Sequence, residues 1–241
     1  MKMKKMVIII LMLSVIGGIV YKMFLDDKVK GEKDTLIMAF GDSLTYGKGD
    51  RDEEGYIGIL ERNLNGRYQD RSFVIKNFGV PGRKSSGVLN ELSNIHTTEK
   101  LNEANHFIVF IGTNDLIKSN GGDYSPLNHD KIMKGFYEYK RNMKAILELL
   151  RTANKSAPIV VVGIYNPYPD GEKIESYIDE WNEATEEIAK SQKNTVFVGT
   201  NDLFKGKNKS DYFSDSLHLD EDGYELLANR IMNQHNFAKN E

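Results

Sequence analysis

Apolar runs and amphipathic stretches alternate along most of this chain. Short runs rich in Val, Ile and Phe predict buried strands, and they lie at Leu36–Phe40, Phe73–Asn77, Phe107–Ile111, Ile159–Ile164 and Thr195–Val198. Apolar residues at helical spacing predict helices at Tyr56–Leu64, Lys131–Arg151, Ile174–Ser191 and Asp222–Asn236. Strands that alternate with helices predict an α/β fold, here a three-layer α/β/α sandwich around a parallel sheet of about five strands.

The first 25 residues follow a different pattern. Lysines cluster in Met1–Lys5, and Met6–Tyr21 carries no charged residue. No small-residue cleavage site follows this run, which favours an uncleaved signal-anchor helix over a secretory signal peptide. Residues 26–34 then form a charged tether, and residues 35–241 form one globular domain.

The leading lysines also predict the orientation of this segment. By the positive-inside rule they stay in the cytoplasm, so the domain lies outside the cell membrane as a single-pass protein. The alternative is cleavage of the segment, which would give a secreted protein.

Composition excludes several classes of site and partner. The chain has 241 residues, a net charge of −3 and no cysteine. The absence of cysteine rules out disulfides, cysteine-ligated zinc and a lipid-modified cysteine. The near-neutral charge and the lack of a long basic block argue against a nucleic-acid partner.

The most informative stretch follows the first predicted strand. Gly41 permits a sharp turn, and Asp42 and Ser43 come directly after it. A serine at the carboxyl end of a parallel strand stands where open α/β sheets bind their ligands. Its hydroxyl and the first N–H groups of the next helix suit a nucleophile with an oxyanion hole. Taken alone, Ser43 has an equally good interpretation as a helix cap.

Two further groups lie near the ends of the next two strands. Gly79 lets the backbone approach a ligand, so its N–H is a candidate oxyanion donor, although a simple glycine turn explains it as well. The side-chain amide of Asn114 is a second candidate donor. The alternative is that Asn114 or Asp115 caps the following helix.

Asp215 and His218 stand in a loop before the last predicted helix. A carboxylate three residues before a histidine can hold one imidazole nitrogen and leave the other for a serine. The other histidines lack this combination of acid spacing and loop position, and we interpret them as solvated or structural: His96, His106, His129 and His235.

Together these stretches resemble the GDSL, or SGNH, hydrolase family, in particular its membrane-anchored extracytoplasmic members in Gram-positive bacteria. The four sequence blocks of the family occur in order, at Gly41–Thr45, Asn77–Gly79, Gly112–Asp115 and Asp215–His218. The resemblance implies a flavodoxin-like sheet, and a reaction that needs neither a metal nor an organic cofactor.

The resemblance also implies a role for each site residue. Ser43 would be the nucleophile, His218 the base and Asp215 the acid that orients it. The Ser43 N–H, the Gly79 N–H and the Asn114 amide would form the oxyanion hole. Asp42 would organise the turn without joining the proton transfer.

The expected function is therefore that of a serine ester hydrolase acting on a small-molecule, wall or lipid ester. Two alternatives stay open, an O-acyl transferase acting on cell-wall glycans and a non-catalytic wall-binding module. The polar loop Leu116–His129 and the tyrosines in Ile164–Pro169 are expected at the catalytic edge. Those tyrosines would either select the substrate or pack the loop.

Overall fold

The computed structural model describes residues 35–122, 126–167 and 172–239. Within them, one parallel sheet has the strand order β2-β1-β3-β4-β5. The strands are β1 Thr35–Gly41, β2 Phe73–Gly79, β3 His106–Phe110, β4 Ile159–Val162 and β5 Thr195–Val198. This is the flavodoxin-like order, and the α/β prediction is confirmed.

Helices cover both faces of the sheet. They are α1 Ser43–Tyr46, α2 Gly55–Arg67, α3 Ser85–Leu92, α4 Ile95–Thr98, α5 Thr113–Ser119, α6 His129–Ala153, α7 Glu172–Lys190 and α8 Glu221–Gln234. α2 packs against α8 on one face, whereas α6 contacts α3, α5 and α7 on the other. Every residue of β3 and β4 is buried as a result, which explains their continuous apolar sequence.

The predicted strands and long helices are present, with small shifts at their ends. β2 continues through Gly79 because β1 pairs with it along its full length, and β4 ends at Val162, two residues before its predicted end. The prediction that the loop after β3 begins at Leu116 is wrong, since α5 runs to Ser119. The bounds of the short helices α1, α3, α4 and α5 were not predicted because they span too few residues to show a helical period.

The predicted anchor and tether, residues 1–34, lie outside the described residues. None of the described helices combines the length and the apolar content that a membrane span requires.

Gly79 in β2 and Gly66 in α2 differ in the space around them for a side chain. A Cβ on Gly79 would overlap the backbone of Thr45 and Tyr46 in α1, whereas a Cβ on Gly66 in α2 would meet no atom within 4 Å. Gly79 is therefore required by the close approach of β2 to α1.

We predict that Gly79→Ala destabilises the fold by about 1–3 kcal/mol through overpacking. Gly66→Ala should instead stabilise it by about 0.5–1 kcal/mol, because alanine favours a helix interior. Equilibrium urea unfolding of the two variants measures both effects. Equal free energies of unfolding for the two variants would contradict a close approach of β2 to α1 at Gly79.

Candidate active site

The register of the sheet brings three chain segments to one edge. Gly41, the last residue of β1, pairs with Gly79 on β2 and with Phe110 on β3. The segments that follow these strands therefore start side by side at the carboxyl edge. Ser43 follows β1 and Asn114 follows β3, so both lie at this edge.

Ser43 stands at the first turn of α1. The Asp42 carboxylate caps this helix, since its Oδ1 accepts the Leu44 N–H at 2.9 Å. Gly47 ends the helix in the left-handed region, at a φ of 100°. Because α1 is only one turn long, its two caps fix where the Ser43 hydroxyl lies.

The loop that carries His218 is held by backbone and aromatic contacts. Phe213 and Leu219 form an antiparallel bridge, and the Ser214 N–H donates to the His218 carbonyl at 3.0 Å. The Tyr165 hydroxyl donates to the Leu217 carbonyl at 3.0 Å. These contacts leave the loop little freedom to move His218.

Tyr165 supports the loop instead of lining an open site. Its side chain is 2% exposed, and its ring packs edge-on against Phe204 and Phe213. The loop-packing alternative therefore holds for Tyr165, while the other tyrosine of this stretch, Tyr168, lies outside the described residues.

The structure brings Ser43, His218 and Asp215 into one hydrogen-bonded row. The Ser43 Oγ lies 3.0 Å from the His218 Nε2, and the His218 Nδ1 lies 2.7 Å from the Asp215 Oδ2. Ser43 is 4% exposed and His218 is 7% exposed. The three residues come from segments up to 175 positions apart.

Asp215 keeps its charge despite partial burial. Burial raises the pKa of its carboxyl group, but hydrogen bonds from the His218 backbone and ring and from the Leu217 N–H outweigh that effect and lower the pKa to about 2. The Oδ1 accepts the two backbone N–H groups at 2.7 Å each, so the Oδ2 is left to face the ring. Asp215 is thus an ionised acceptor for the His218 Nδ1–H.

The three predicted oxyanion donors lie in different hydrogen-bonding states. The Ser43 N–H belongs to the first turn of α1, where N–H groups have no acceptor within the helix. The Asn114 Nδ2 donates one hydrogen to the Asp42 Oδ2 at 3.0 Å and has a second to offer. The Gly79 N–H donates to the Asn77 Oδ1 at 2.8 Å. No sequence pattern indicates that this predicted oxyanion donor already has an acceptor.

Asp42 does more than organise its turn. Its carboxylate is 2% exposed and joins the α1 cap to Asn114, 72 positions away. Burial raises its pKa to about 7, against the hydrogen bonds from Leu44 and Asn114. Nothing in the sequence marks this pairing, because it depends on the β1–β3 register.

Asp115 caps a helix, but not its own. Its two oxygens accept the Ser85 N–H at 2.8 Å and the Ser85 hydroxyl at 2.6 Å at the start of α3. Asn142 of α6 donates to the same Ser85 hydroxyl at 2.9 Å. This buried network ties α5 to α3 and α6.

The other histidines lie elsewhere. His106 is buried at the amino end of β3 and contacts the His235 ring, with 3.1 Å between ring nitrogens, and His129 contacts the Tyr177 hydroxyl. His96 is exposed on α4. Among the residues that the structure describes, no group of three or more His, Asp or Glu side chains is arranged to hold a metal ion.

Comparison with known proteins places this site in a family. The model of the GDSL-like Lipase/Acylhydrolase family matches residues 39–226. The uncharacterized protein YpmR of Bacillus subtilis is 29% identical over 210 residues, which cover 85% of this chain and 82% of that protein. The spore germination lipase LipC of Bacillus licheniformis is 24% identical over 198 residues, which cover 80% of this chain and 92% of that protein.

Among solved structures, the lipase Lip_vut3 from a goat rumen metagenome has a similar fold. Its TM-score is 0.75 at 22% identity, over 86% of this chain and 100% of that one. The family match spans most of the chain, and all the residues described above as a hydrogen-bonded row lie within it. This chain therefore belongs to the GDSL-like lipase/acylhydrolase family and is a carboxylic ester hydrolase.

Proposed function

We propose that this chain hydrolyses acyl esters through a Ser43–His218–Asp215 triad and an acyl-enzyme intermediate. The observation that carries the proposal is the unbroken row of hydrogen-bond distances, 3.0 Å from serine to histidine and 2.7 Å from histidine to aspartate. These are the nucleophile–base and base–orienter contacts that covalent acyl transfer requires.

The reaction begins with proton transfer to His218. Its Nε2 takes the Ser43 proton while the Oγ attacks the ester carbonyl carbon, and the Nδ1–H stays bonded to Asp215. Because the pKa of Asp215 is lowered to about 2, this carboxylate is ionised and stabilises the imidazolium that forms. The imidazolium then gives its proton to the leaving alcohol. Water attacks the acyl-enzyme by the same path and releases the acid.

Three donors are available for the oxyanion. The Ser43 N–H and the second hydrogen of the Asn114 Nδ2 need no rearrangement. In this structure the Gly79 N–H donates a hydrogen bond to the neutral side-chain carbonyl of Asn77. An oxyanion accepts about twice as strongly as a neutral carbonyl, so the Gly79 N–H turns to it as charge develops.

Asp42 acts through Asn114 as a positioning residue. In this pair the Asp42 Oδ2 accepts and the Asn114 Nδ2 donates, so the Asn114 amide presents its NH₂ side to Asp42. The second hydrogen of the same NH₂ group is then fixed in direction. We infer that this contact prevents the amide from presenting its carbonyl oxygen to the substrate.

The acyl group of the substrate has an apolar surface beside the donors. Val80, which follows Gly79, is 42% exposed, and Tyr46 at the end of α1 is 37% exposed. Both flank the carboxyl edge of β1 and β2. A partly apolar acyl chain would cover them, in keeping with the lipase names of two similar proteins.

We predict that Ser43→Ala lowers kcat for p-nitrophenyl butyrate by about 10⁴-fold or more, as loss of a triad serine does. His218→Ala should cost as much, and the double variant should be no worse, because the two residues act as one unit. Thermal unfolding serves as the control for folding. If the kcat losses of the two single variants multiplied in the double variant, Ser43 and His218 would not be acting as one unit.

We predict that Asp42→Asn lowers kcat by about 10²–10³-fold at unchanged KM, as does removal of one oxyanion donor. An asparagine at this position would set one NH₂ group against another, so Asn114 would rotate and present its carbonyl. Stability should not fall at pH 8, because a raised pKa means that the folded state disfavours the ionised carboxylate.

The double variant tests whether Asp42 works through Asn114. Asn114→Ala alone should give the same kcat loss, and Asp42→Asn should add nothing on that background. Multiplied losses, or a rise in KM with kcat unchanged, would show that Asp42 acts on the substrate or on the fold instead.

We propose that residues 1–25 anchor the enzyme and hold its domain outside the cytoplasmic membrane. The support is the lysine cluster, the uncharged run Met6–Tyr21 and the lack of a cleavage site. An enzyme tethered by residues 26–34 reaches only esters near the membrane surface.

This proposal predicts that protein recovered from cells fractionates with membranes and keeps its N-terminus. Deletion of residues 1–25 should leave an active enzyme in the soluble fraction, since no triad residue lies there. Amino-terminal sequencing and esterase assays of both fractions measure this. A trimmed N-terminus beyond Tyr21 in the medium would show a cleaved signal.

A further inference from the structure

A concave site lies where α3, α5 and α6 meet. It has a volume of about 280 Å³, and four lysines contribute to its lining. We call it the lysine cavity, defined by Lys84, Lys118, Lys131 and Lys134 together with Asp115 and Ser119. It contains none of the triad residues.

The positive charge of this cavity is not neutralised by ion pairs. Within the described part of the chain, none of the four lysines lies within 4.0 Å of a carboxylate. Other cations do find partners, as Arg230 does with Asp202 and Lys190 with Glu186. The Lys118 ammonium donates to the Gly82 carbonyl, a neutral acceptor that leaves its charge in place. Like charges that line one cavity repel one another, and a bound anion would offset that repulsion.

The carboxylates of the lining do not cancel this charge. Burial raises the pKa of Asp115, but the two hydrogen bonds that it accepts from Ser85 and the nearby charge of Lys84 oppose that rise. Glu138 is the other acid of the lining, and it is exposed. Four lysines against two acids give the lining a formal charge of +2 even with both acids ionised. The cavity therefore keeps a net positive charge.

We propose that the lysine cavity binds a phosphate group. Lysine acts as a compact point charge with three donors, which suits the oxygens of a tetrahedral phosphate anion. The phosphate belongs either to a soluble phosphomonoester or to a lipid head group. This site goes beyond the proposed ester hydrolysis and does not depend on it.

The cavity adjoins the catalytic edge through α5. Asp115 lines the cavity, and its chain neighbour Asn114 bonds to Asp42 beside Ser43. A phosphate-bearing molecule held by the lysines thus contacts the helix that carries an oxyanion donor.

The test measures phosphate binding by isothermal titration calorimetry with the full chain in neutral detergent. Three probes are used: inorganic phosphate, glycerol 1-phosphate, and short-chain phosphatidylglycerol with short-chain phosphatidylcholine as its reference. The lipid titrations are made on a Ser43→Ala background, so that ester hydrolysis adds no heat. The double variant Lys131→Gln, Lys134→Gln should weaken binding about tenfold, since two charges near the anion are lost. Hydrolysis of neutral p-nitrophenyl butyrate should be unchanged, which controls for folding.

A matched control removes two charges elsewhere. Lys100 and Lys193 are exposed and precede β3 and β5, at the opposite edge of the sheet. Lys100→Gln, Lys193→Gln should leave binding within about twofold, since those charges lie beyond a screening length. Ser43→Ala should bind phosphate as the unmodified chain does, which separates this site from the triad.

Each outcome decides the proposal. Binding of inorganic phosphate and glycerol 1-phosphate that the cavity variant loses supports a soluble phosphate ligand. Lysine-dependent binding of phosphatidylglycerol alone supports a lipid head group. The proposal is overturned if no probe binds, if the cavity variant binds as tightly as the unmodified chain, or if the control variant loses as much affinity as the cavity variant.

Discussion

The site depends on the pairing of β1 with both of its neighbours at its last residue. Gly41 pairs with both Gly79 and Phe110, so three segments of the chain leave the sheet at the same level of its carboxyl edge. A Cβ on Gly41 or Gly79 would overlap α1 or its neighbours, so glycine is required where α1 folds back over the strand ends. Ser43, the Gly79 N–H and Asn114 are neighbours for this reason, and the loop from β5 needs only to bring His218 to them.

Much of this arrangement was predictable from sequence because it rests on patterns that repeat. Continuous apolar runs located the strands, and parallel strands place the loops after them at one edge. The meeting of Ser43, His218 and Asp215, which the family resemblance implied, is found at that edge in the structure. Contacts without a pattern were missed. The Asp42–Asn114 bond joins residues 72 positions apart, and the cap of α3 comes from another helix. The lysine cavity gathers charges from three helices, two of which were too short to predict.

The three aspartates near the site differ because their surroundings differ. Asp215, with its side chain 49% exposed, accepts backbone and ring N–H bonds, and its pKa is lowered to about 2. Asp42 is buried with fewer donors, and its pKa is raised to about 7, while burial also raises the pKa of Asp115. An acid that must stabilise an imidazolium has to stay charged, whereas one that fixes a neutral amide does not. Solvation and donor count thus separate the proposed acid that orients His218 and stabilises its imidazolium from the positioning acids.

Adjacent residues of α5 belong to two different buried networks, and this makes α5 the element shared by both sites. Asn114 bonds to Asp42 beside Ser43, whereas Asp115 bonds to Ser85 and so to Asn142 of α6. A buried polar group that loses its partner costs about 1–3 kcal/mol, so α5 cannot shift without a penalty on both sides. The oxyanion donor is therefore held by contacts that reach into α3 and α6, the same helices that supply Lys84, Lys131 and Lys134 to the lysine cavity. The proposed phosphate site and the oxyanion donor Asn114 thus share one helix and its buried hydrogen bonds.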